Sequence, residues 1–182
     1  MTDYRAVGTL MPAAGADGLD PAVWRPVVSC LAGIWLDDYG RRGADAVEVS
    51  SAHFSYLFDL EAERLISAWG ISRGRQGGER DKARMKGHPL GAGPLYHRGH
   101  AIPHTLGGAM DINLVPQRGS VNTGPFRHLE KEAVATPGAL YFTYWQYAPE
   151  RVTARRASQV PAFVDQGLLI PGETPKIRRH AN

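Results

Sequence analysis

Two short, aromatic-rich segments separated by only three residues constrain the fold of this chain more than any other feature. Residues 53–60 (HFSYLFDL) and 64–71 (RLISAWGI) have the length and composition of strands, and Glu61-Ala62-Glu63 between them is a turn candidate. A connection this short joins antiparallel strands. We therefore expect a β-hairpin in a sheet that also contains a short strand near 47–49 and the aromatic core strand 140–147.

An amphipathic helix is expected before this hairpin. Asp20-Pro21 has the pattern of a helix start, with an acidic N-cap and proline at the first helical position. Apolar residues then recur at helical spacing as far as Trp35, and Gly40 suits a C-cap. We expect residues 1–45 to form an N-terminal extension with one helix, residues 46–172 the main domain, and residues 173–182 a basic tail.

Basic residues are concentrated in the middle of the chain. The formal net charge is +3 overall, but residues 1–70 carry −5, residues 71–128 carry +6 and residues 129–182 carry +2. The middle part also holds five of the seven histidines, and 17 of the 21 basic residues in the chain are arginine. Because arginine can bind phosphate through two donors at once, a nucleic-acid partner is one interpretation. An arginine-rich solvated surface is the other.

The sequence lacks the features of several other protein classes. Its longest apolar stretch, residues 27–36, is interrupted by Ser29 and Gly33 and is shorter than the roughly 18–20 residues of a membrane span. The N-terminus has no signal-peptide pattern, so we expect no membrane partner and a protein that is cytoplasmic or exported by a signal-peptide-independent route. The single cysteine, Cys30, excludes an internal disulfide framework and a four-cysteine zinc site.

The chemistry-bearing residues lie between positions 95 and 135. This part has the pattern of a strand (95–102), a Gly-rich turn, a second strand (112–116) and a helix (120–135). Phosphodiester hydrolysis needs a base that deprotonates water, a cation that stabilises developing charge, and positive side chains that hold the phosphate backbone. Histidine titrates near neutral pH and suits the first task. An asparagine oxygen suits Mg²⁺, because it binds the ion without neutralising it.

The motifs of this segment resemble those of the DNA/RNA non-specific endonucleases of the ββα-metal type, including their bacterial toxin relatives. The resemblance runs over residues 53–170, and its specific parts are Tyr96-His97-Arg98-Gly99-His100, Thr105-Leu106-Gly107-Gly108, Asn113-Leu114-Val115-Pro116-Gln117, Asn122 and Glu130. It implies an α+β fold with an antiparallel sheet core and a ββα-metal motif. It also implies a Mg²⁺-dependent endonuclease, with Mn²⁺ as the alternative metal, that acts on DNA or RNA. A toxin-effector role with an immunity-type inhibitor protein as partner follows from the same resemblance.

The resemblance assigns roles to the central residues. His100 is implied as the general base, Asn122 as the direct metal ligand, and Glu130 as a residue that orders the water around the metal. Eight residues along one helix correspond to about 12 Å of rise and about 80° of rotation, too far for two ligands of one ion. Asn122 and Glu130 therefore approach each other only if Asn122 lies at the helix start, as Gly124-Pro125 indicates.

Further residues are expected to support this centre. Arg98 is implied as a phosphate or scaffold contact, and the candidate nucleic-acid contacts suggested by charge are Arg73, Arg75, Arg84 and Arg127. Asn113 is a candidate for a structural role near the metal. His97 stands where the family has aspartate, so the arrangement that supports the catalytic histidine is altered here.

Simpler interpretations remain open for several of these residues. Asn122 can serve only as an N-cap, Glu130 can pair with Lys131 or Arg127, and Asn113 can make an Asx turn.

Two other functions also remain open for the chain as a whole. The first is a catalytically weak or inactive module that binds nucleic acid or a protein partner, for which His97 is the only support in the sequence. The second is a zinc-structured binding domain built around the clustered histidines.

Overall fold

The computed structural model describes residues 2–40, 45–76, 78, 89, 92–109, 111–148 and 158–182. The sequence also predicts a long basic loop over residues 72–94, and most of this loop, including Arg84, lies outside the described residues. The elements run in the order α1 (Arg5–Thr9), α2 (Pro21–Tyr39), β1 (Ala46–Ser51), β2 (Phe54–Asp59), β3 (Arg64–Ile71), β4 (Tyr96–His100), a 3-10 helix (His104–Leu106), β5 (Leu114–Arg118), α3 (Gly119–Thr123), α4 (Phe126–Ala135), β6 (Leu140–Gln146), β7 (Phe163–Leu169) and β8 (Lys176–Ala181).

Six of the strands form one antiparallel sheet in the order β1-β2-β3-β6-β7-β8. The remaining two, β4 and β5, form a separate antiparallel ribbon. The expected hairpin of β2 and β3 is confirmed, with Asp59 opposite Arg64 at its closed end. The predicted α+β fold with an antiparallel sheet core and an N-terminal helix is therefore confirmed.

The two faces of the six-stranded sheet are covered by different helices. Side chains along β6 alternate, so that Tyr141 and Trp145 enter one core while Phe142 and Tyr144 enter the other. The first core is closed by β5, α3 and α4, and the second by α2. Each face of the sheet is thus buried, and the β4–β5 ribbon lies on the side of α3 and α4.

The long helix α2 begins and ends where its sequence predicts. The Asp20 side chain accepts a hydrogen bond from the Ala22 N–H at 2.9 Å, and Gly40 ends the helix with φ +61°. Trp35 is fully buried from this helix, with its ring centroid 5.3 Å from that of Phe142. Among the described residues, no helix has both the length and the apolar composition needed to cross a membrane.

Two expectations are corrected by the structure. Residues 173–182 do not form a basic tail, because Lys176–Ala181 is the edge strand β8, where Arg179 forms an ion pair with the buried Asp165 at 2.7 Å. The helix expected over 120–135 is instead two helices, α3 and α4, separated at Gly124-Pro125. In the described structure, the Asn182 side chain donates to the Pro116 carbonyl at 2.9 Å and thereby joins the end of β8 to the ribbon.

Candidate active site

The β4–β5 ribbon separates the motif residues onto two faces. Arg98 and His100 alternate with His97 along β4, so the first two point toward one side of the ribbon and His97 toward the other. The face that His97 shares also carries Gly99, where an added Cβ would lie 2.3 Å from Oε1 of Gln117. Glycine at this position leaves room for the buried Gln117 side chain, which lies against Gly99 on the same face as His97.

The chain leaving His100 is held by one asparagine. The Asn113 side chain is fully buried, accepts the Ile102 N–H at 2.6 Å and donates to the Ile102 carbonyl at 2.7 Å. The Asn113 carbonyl also accepts the Ala101 N–H at 2.9 Å. Asn113 therefore makes neither an Asx turn nor a cleft contact; it fixes the two residues that follow the histidine.

The break between α3 and α4 brings their polar side chains to one place. Asn122 lies within α3, and the N-cap of α4 is Pro125, so the interpretation of Asn122 as an N-cap is wrong. An added Cβ on Gly124 would lie 2.5 Å from the Ser120 carbonyl oxygen, which explains glycine at the bend. Because the chain changes direction here, Asn122 and Glu130 line the same cleft, and the spacing along a continuous helix does not apply.

This cleft is the meeting point of the ribbon, the 3-10 helix and the two short helices. Its volume is about 520 Å³, and the side chains that line it include Arg75, Arg98, His100, His104, Asn122, Arg127, Glu130 and Lys131. Five of the sequence-predicted site residues are therefore brought together. The remaining three, Arg73, Asn113 and His97, lie elsewhere.

The imidazole of His100 sits at the inner wall of the cleft. Its residue is 8% exposed, and its ring meets the ring of His104 edge-on, with centroids 6.0 Å apart and planes at 78°. His104 is carried by the 3-10 helix that follows the Asn113-fixed segment. The orientation of the His100 ring is thus determined by packing on one side and by the ribbon on the other.

The electrostatics of the cleft suit a polyanion. Four cationic side chains and one carboxylate line it, together with the two histidines. Burial raises the pKa of the Tyr141 hydroxyl well above its usual value, and the negative charge of the nearby Glu130 carboxylate raises it further.

The donors present fit a hard, oxygen-seeking cation. Asn122 offers an amide oxygen, and Glu130 offers a carboxylate on the same cleft. Within the described part of the chain, no group of three or more histidine, cysteine, aspartate or glutamate side chains is placed to hold a metal ion. Such a donor set suits Mg²⁺ that keeps most of its water better than it suits a closed zinc site.

Sequence reasoning missed some of the residues that line the cleft. Lys131 was considered only as a partner for Glu130, although Arg127 and Lys131 are four residues apart and lie on the same helix face. That spacing was a usable signal. Arg75, which its charge makes a candidate phosphate contact, does line the cleft, and His104 lies beside it because of how the chain folds after β4.

Comparison with known proteins agrees with this geometry. Residues 66–138 match the family model described as "DNA/RNA non-specific endonuclease". The matched segment begins in β3, ends after α4, and contains every residue that lines the cleft. No curated protein matches the chain. The resemblance noted in the sequence is thereby confirmed, and it supports nuclease activity on nucleic acid, in a family that generally depends on a divalent metal.

Proposed function

Given that residues 66–138 match the DNA/RNA non-specific endonuclease family, we propose that this chain is a Mg²⁺-dependent endonuclease that cuts DNA with little sequence preference, with RNA as a further substrate. The observation that carries the proposal is the single cleft shared by His100, Asn122 and Glu130 among four cationic side chains. Contacts to phosphate position a nucleic acid without reading its sequence, so low specificity follows from this lining.

His100 acts as the general base in the proposed reaction. Its imidazole takes a proton from the water molecule that attacks the phosphorus, and the bond from phosphorus to the leaving oxygen breaks. Arg98 and Arg127 bind the non-bridging phosphate oxygens and hold the phosphodiester in line with that water. These side chains come from the ribbon and from α4, on two walls of the same cleft.

Asn122 and Glu130 are the residues that would serve the metal. The Asn122 amide oxygen would hold Mg²⁺ directly, and the Glu130 carboxylate would accept hydrogen bonds from the water around it. Bound Mg²⁺ supplies positive charge that stabilises the transition state and the leaving oxygen. With one neutral protein ligand, the protein alone binds Mg²⁺ weakly, and micromolar affinity measured by calorimetry without nucleic acid would contradict this assignment.

Plasmid cleavage tests the proposal. We expect degradation in Mg²⁺, loss of cleavage in EDTA, and a fall of about 10²–10⁴-fold in the rate for His100→Ala, because the base is lost. His97→Ala is the matched control, since His97 lies on the same strand but faces away from the cleft. Full activity of His100→Ala, or equal damage from His97→Ala, would refute the assigned base.

The alternative of an inactive binding module gives a different result in the same experiment. It requires salt-sensitive DNA binding with no cleavage by the wild-type protein in Mg²⁺ or Mn²⁺. Its only support in the sequence is His97, and that side chain is exposed on the face of β4 opposite Arg98 and His100.

The toxin-effector role and its inhibitor are further parts of the proposal. The cationic cleft would attract an acidic inhibitor protein as well as nucleic acid. If the role is correct, induced expression in bacteria arrests growth for the wild type and not for His100→Ala. Growth that is equal for both chains would argue against a toxin.

A further inference from the structure

Two adjoining cavities lie beyond the cleft, and together we call them the side groove. The inner cavity, of about 380 Å³, lies between the β1–β2 turn and Leu106-Gly107. The outer cavity, of about 300 Å³, lies between the start of α2 and the end of β3. Both are lined by His53, Ile71 and Arg73. The side groove therefore runs continuously around the end of β3, from the α4 side of the sheet to the α2 side.

The side groove begins where the cleft ends. Thr105 lines the cleft, and the next two residues, Leu106 and Gly107, line the inner cavity. On the facing segment, Arg75 lines the cleft while Gln76 lines the inner cavity. The Gln76 N–H donates to the Thr105 carbonyl at 2.9 Å, so the two segments are joined at the boundary between cleft and groove.

An exposed arginine, Arg73, and an exposed histidine, His53, stand where the inner and outer cavities meet. Within the described residues, neither Arg73 nor His53 has a side-chain hydrogen bond or an ion pair. The Arg73 carbonyl accepts a hydrogen bond from Gln76 Nε2 at 3.2 Å, which fixes the backbone from which the guanidinium projects. Among the described residues that line the groove, Glu48 is the one acidic residue, and it lines only the outer cavity.

The backbone that carries His53 is unusual. Ser51 and Phe54 are paired across the β1–β2 hairpin, so its turn consists of Ala52 and His53 alone. Both have positive φ, +50° and +69°, in a turn that normally selects asparagine and glycine. A histidine held in this strained conformation, with its ring lining two cavities, is a feature that packing does not require.

The floor of the outer cavity is apolar. Trp24, Trp69, Ile71 and Leu140 line it, and both tryptophans are nearly buried. A hollow of this size with an apolar floor and a cationic rim matches the composition of sites for small anionic ligands with an apolar part. A nucleotide has both, in its phosphate and its base.

We propose that the side groove binds a nucleotide of the substrate strand beyond the scissile phosphate, with its phosphate held by His53 and Arg73 at the junction of the two cavities. The proposal rests on the proposed function, because it extends the path of the same strand out of the cleft. It predicts that the protein binds longer strands more tightly than strands that fill only the cleft.

Binding measured without cleavage tests the subsite. In the His100→Ala background, fluorescence anisotropy follows labelled single-stranded DNA of about 12 and about 4 nucleotides. We expect Arg73→Gln with His53→Asn to weaken binding of the longer strand about tenfold, and the loss of the Arg73 charge to lower the salt slope by about one. Asparagine keeps the positive φ of the turn accessible, so the substitution removes the imidazole without adding strain.

Arg5→Gln is the matched control, because Arg5 is an exposed cation in α1 that lines neither cavity nor cleft. We expect it to leave the affinity for the longer strand within about twofold. Unchanged affinity of the folded Arg73→Gln, His53→Asn protein, or an equal loss for Arg5→Gln, would overturn the subsite.

The cleavage assay on the same longer strand separates the two proposals. Wild-type cleavage combined with unchanged binding by the groove variant would remove the subsite and leave the nuclease. Weakened binding by the groove variant without any wild-type cleavage would remove the nuclease and leave the groove as a nucleic-acid site.

Discussion

Helix α2 covers one face of the six-stranded sheet, and helices α3 and α4 cover the other. Both layers contain a proline, but only the proline between α3 and α4 coincides with a break in the helix. In α2, Pro26 is inside a helix that continues to Tyr39. Between α3 and α4, Pro125 follows Gly124, and the helix stops and restarts in another direction. A proline early in a helix loses one hydrogen bond, whereas glycine followed by proline allows the chain to turn.

This difference determines which of the two helical layers can bring polar side chains together. The buried residues of α2 are Trp24, Val27, Leu31 and Trp35, which cover the sheet and do not line the cleft. Helix α4 buries Phe126, Leu129 and Ala133 in the same way. The bend before α4 also lets Asn122 of α3 and Glu130 of α4 line one cleft. The candidate active site therefore lies where helical regularity is interrupted.

Among the variants considered, joining α3 and α4 into one helix should have the largest effect on the cleavage rate. We expect Gly124→Ala with Pro125→Ala to favour one continuous helix, because alanine at 124 would meet the Ser120 carbonyl in the present bend. Asn122 and Glu130 would then separate. We expect the cleavage rate to fall about 10²-fold, the loss that displacement of a catalytic group by about 1 Å can cause. Single-turnover plasmid cleavage and circular dichroism measure the two effects.

Pro26→Ala in α2 is the matched control for that variant. It restores a hydrogen bond in a helix that carries no candidate catalytic residue. We therefore expect the free energy of unfolding to rise by up to about 3 kcal/mol and the cleavage rate to stay unchanged. If the joined α3–α4 variant cleaves as fast as Pro26→Ala, the bend does not organise the site.

A pair of leucines makes the same comparison through packing. Leu31 in α2 and Leu129 in α4 are both fully buried, in the two different cores. We expect Leu31→Ala and Leu129→Ala each to lower the free energy of unfolding by about 2–5 kcal/mol. Only Leu129→Ala should also lower the cleavage rate of the folded protein, by about tenfold, because α4 carries Arg127 and Glu130 into the cleft. Equal cleavage rates for the two folded variants would contradict this.

The smallest expected effect is a pH dependence confined to the α4 side. His180 on β8 packs its ring 5.5 Å from that of Phe126, and burial, helped by the charge of Arg178, lowers its pKa below 6.5. As the pH falls below 6.5, the unfolded chain therefore binds a proton that the folded chain does not, and the free energy of unfolding decreases until the lowered pKa is reached.

Denaturant unfolding checks this sign. We expect His180→Gln to be less sensitive than the wild type to a change from about pH 7.5 to about pH 5.5. Amide exchange at the same two pH values should report the acid effect at α4 and not at α2. A wild-type slope equal to that of His180→Gln would show that His180 does not contribute.

Local signals in the sequence were sufficient for much of the fold. The caps of α2 at Asp20 and Gly40 and the turn before Arg64 are determined by neighbouring residues, so they were predictable. The strand β8 was not predictable, because Arg178 and Arg179 are typical of a solvent-exposed segment. The ion pair of Arg179 with the buried Asp165 on β7 depends on tertiary structure that the local sequence does not show.

The candidate site was predictable to a similar extent. His100, Asn122 and Glu130 were identified from their motifs, and the structure lines one cleft with them. Arg73 was expected beside them, but it lies in the side groove, because β3 and the segment after it pass the outer end of the cleft. Its charge makes Arg73 a candidate contact, but charge alone does not indicate on which surface of the fold a residue lies.

The β4–β5 ribbon that carries His100 belongs to neither edge of the six-stranded sheet. It is linked to Asn182, the residue after β8, by two hydrogen bonds. The Asn182 side chain donates to the Pro116 carbonyl and accepts from the Arg118 N–H. The Asn182 side chain thus fixes β5, the strand paired with the one that carries His100, against the end of β8. Removal of Asn182 should therefore loosen the ribbon while the pairing of β7 with β8 is retained.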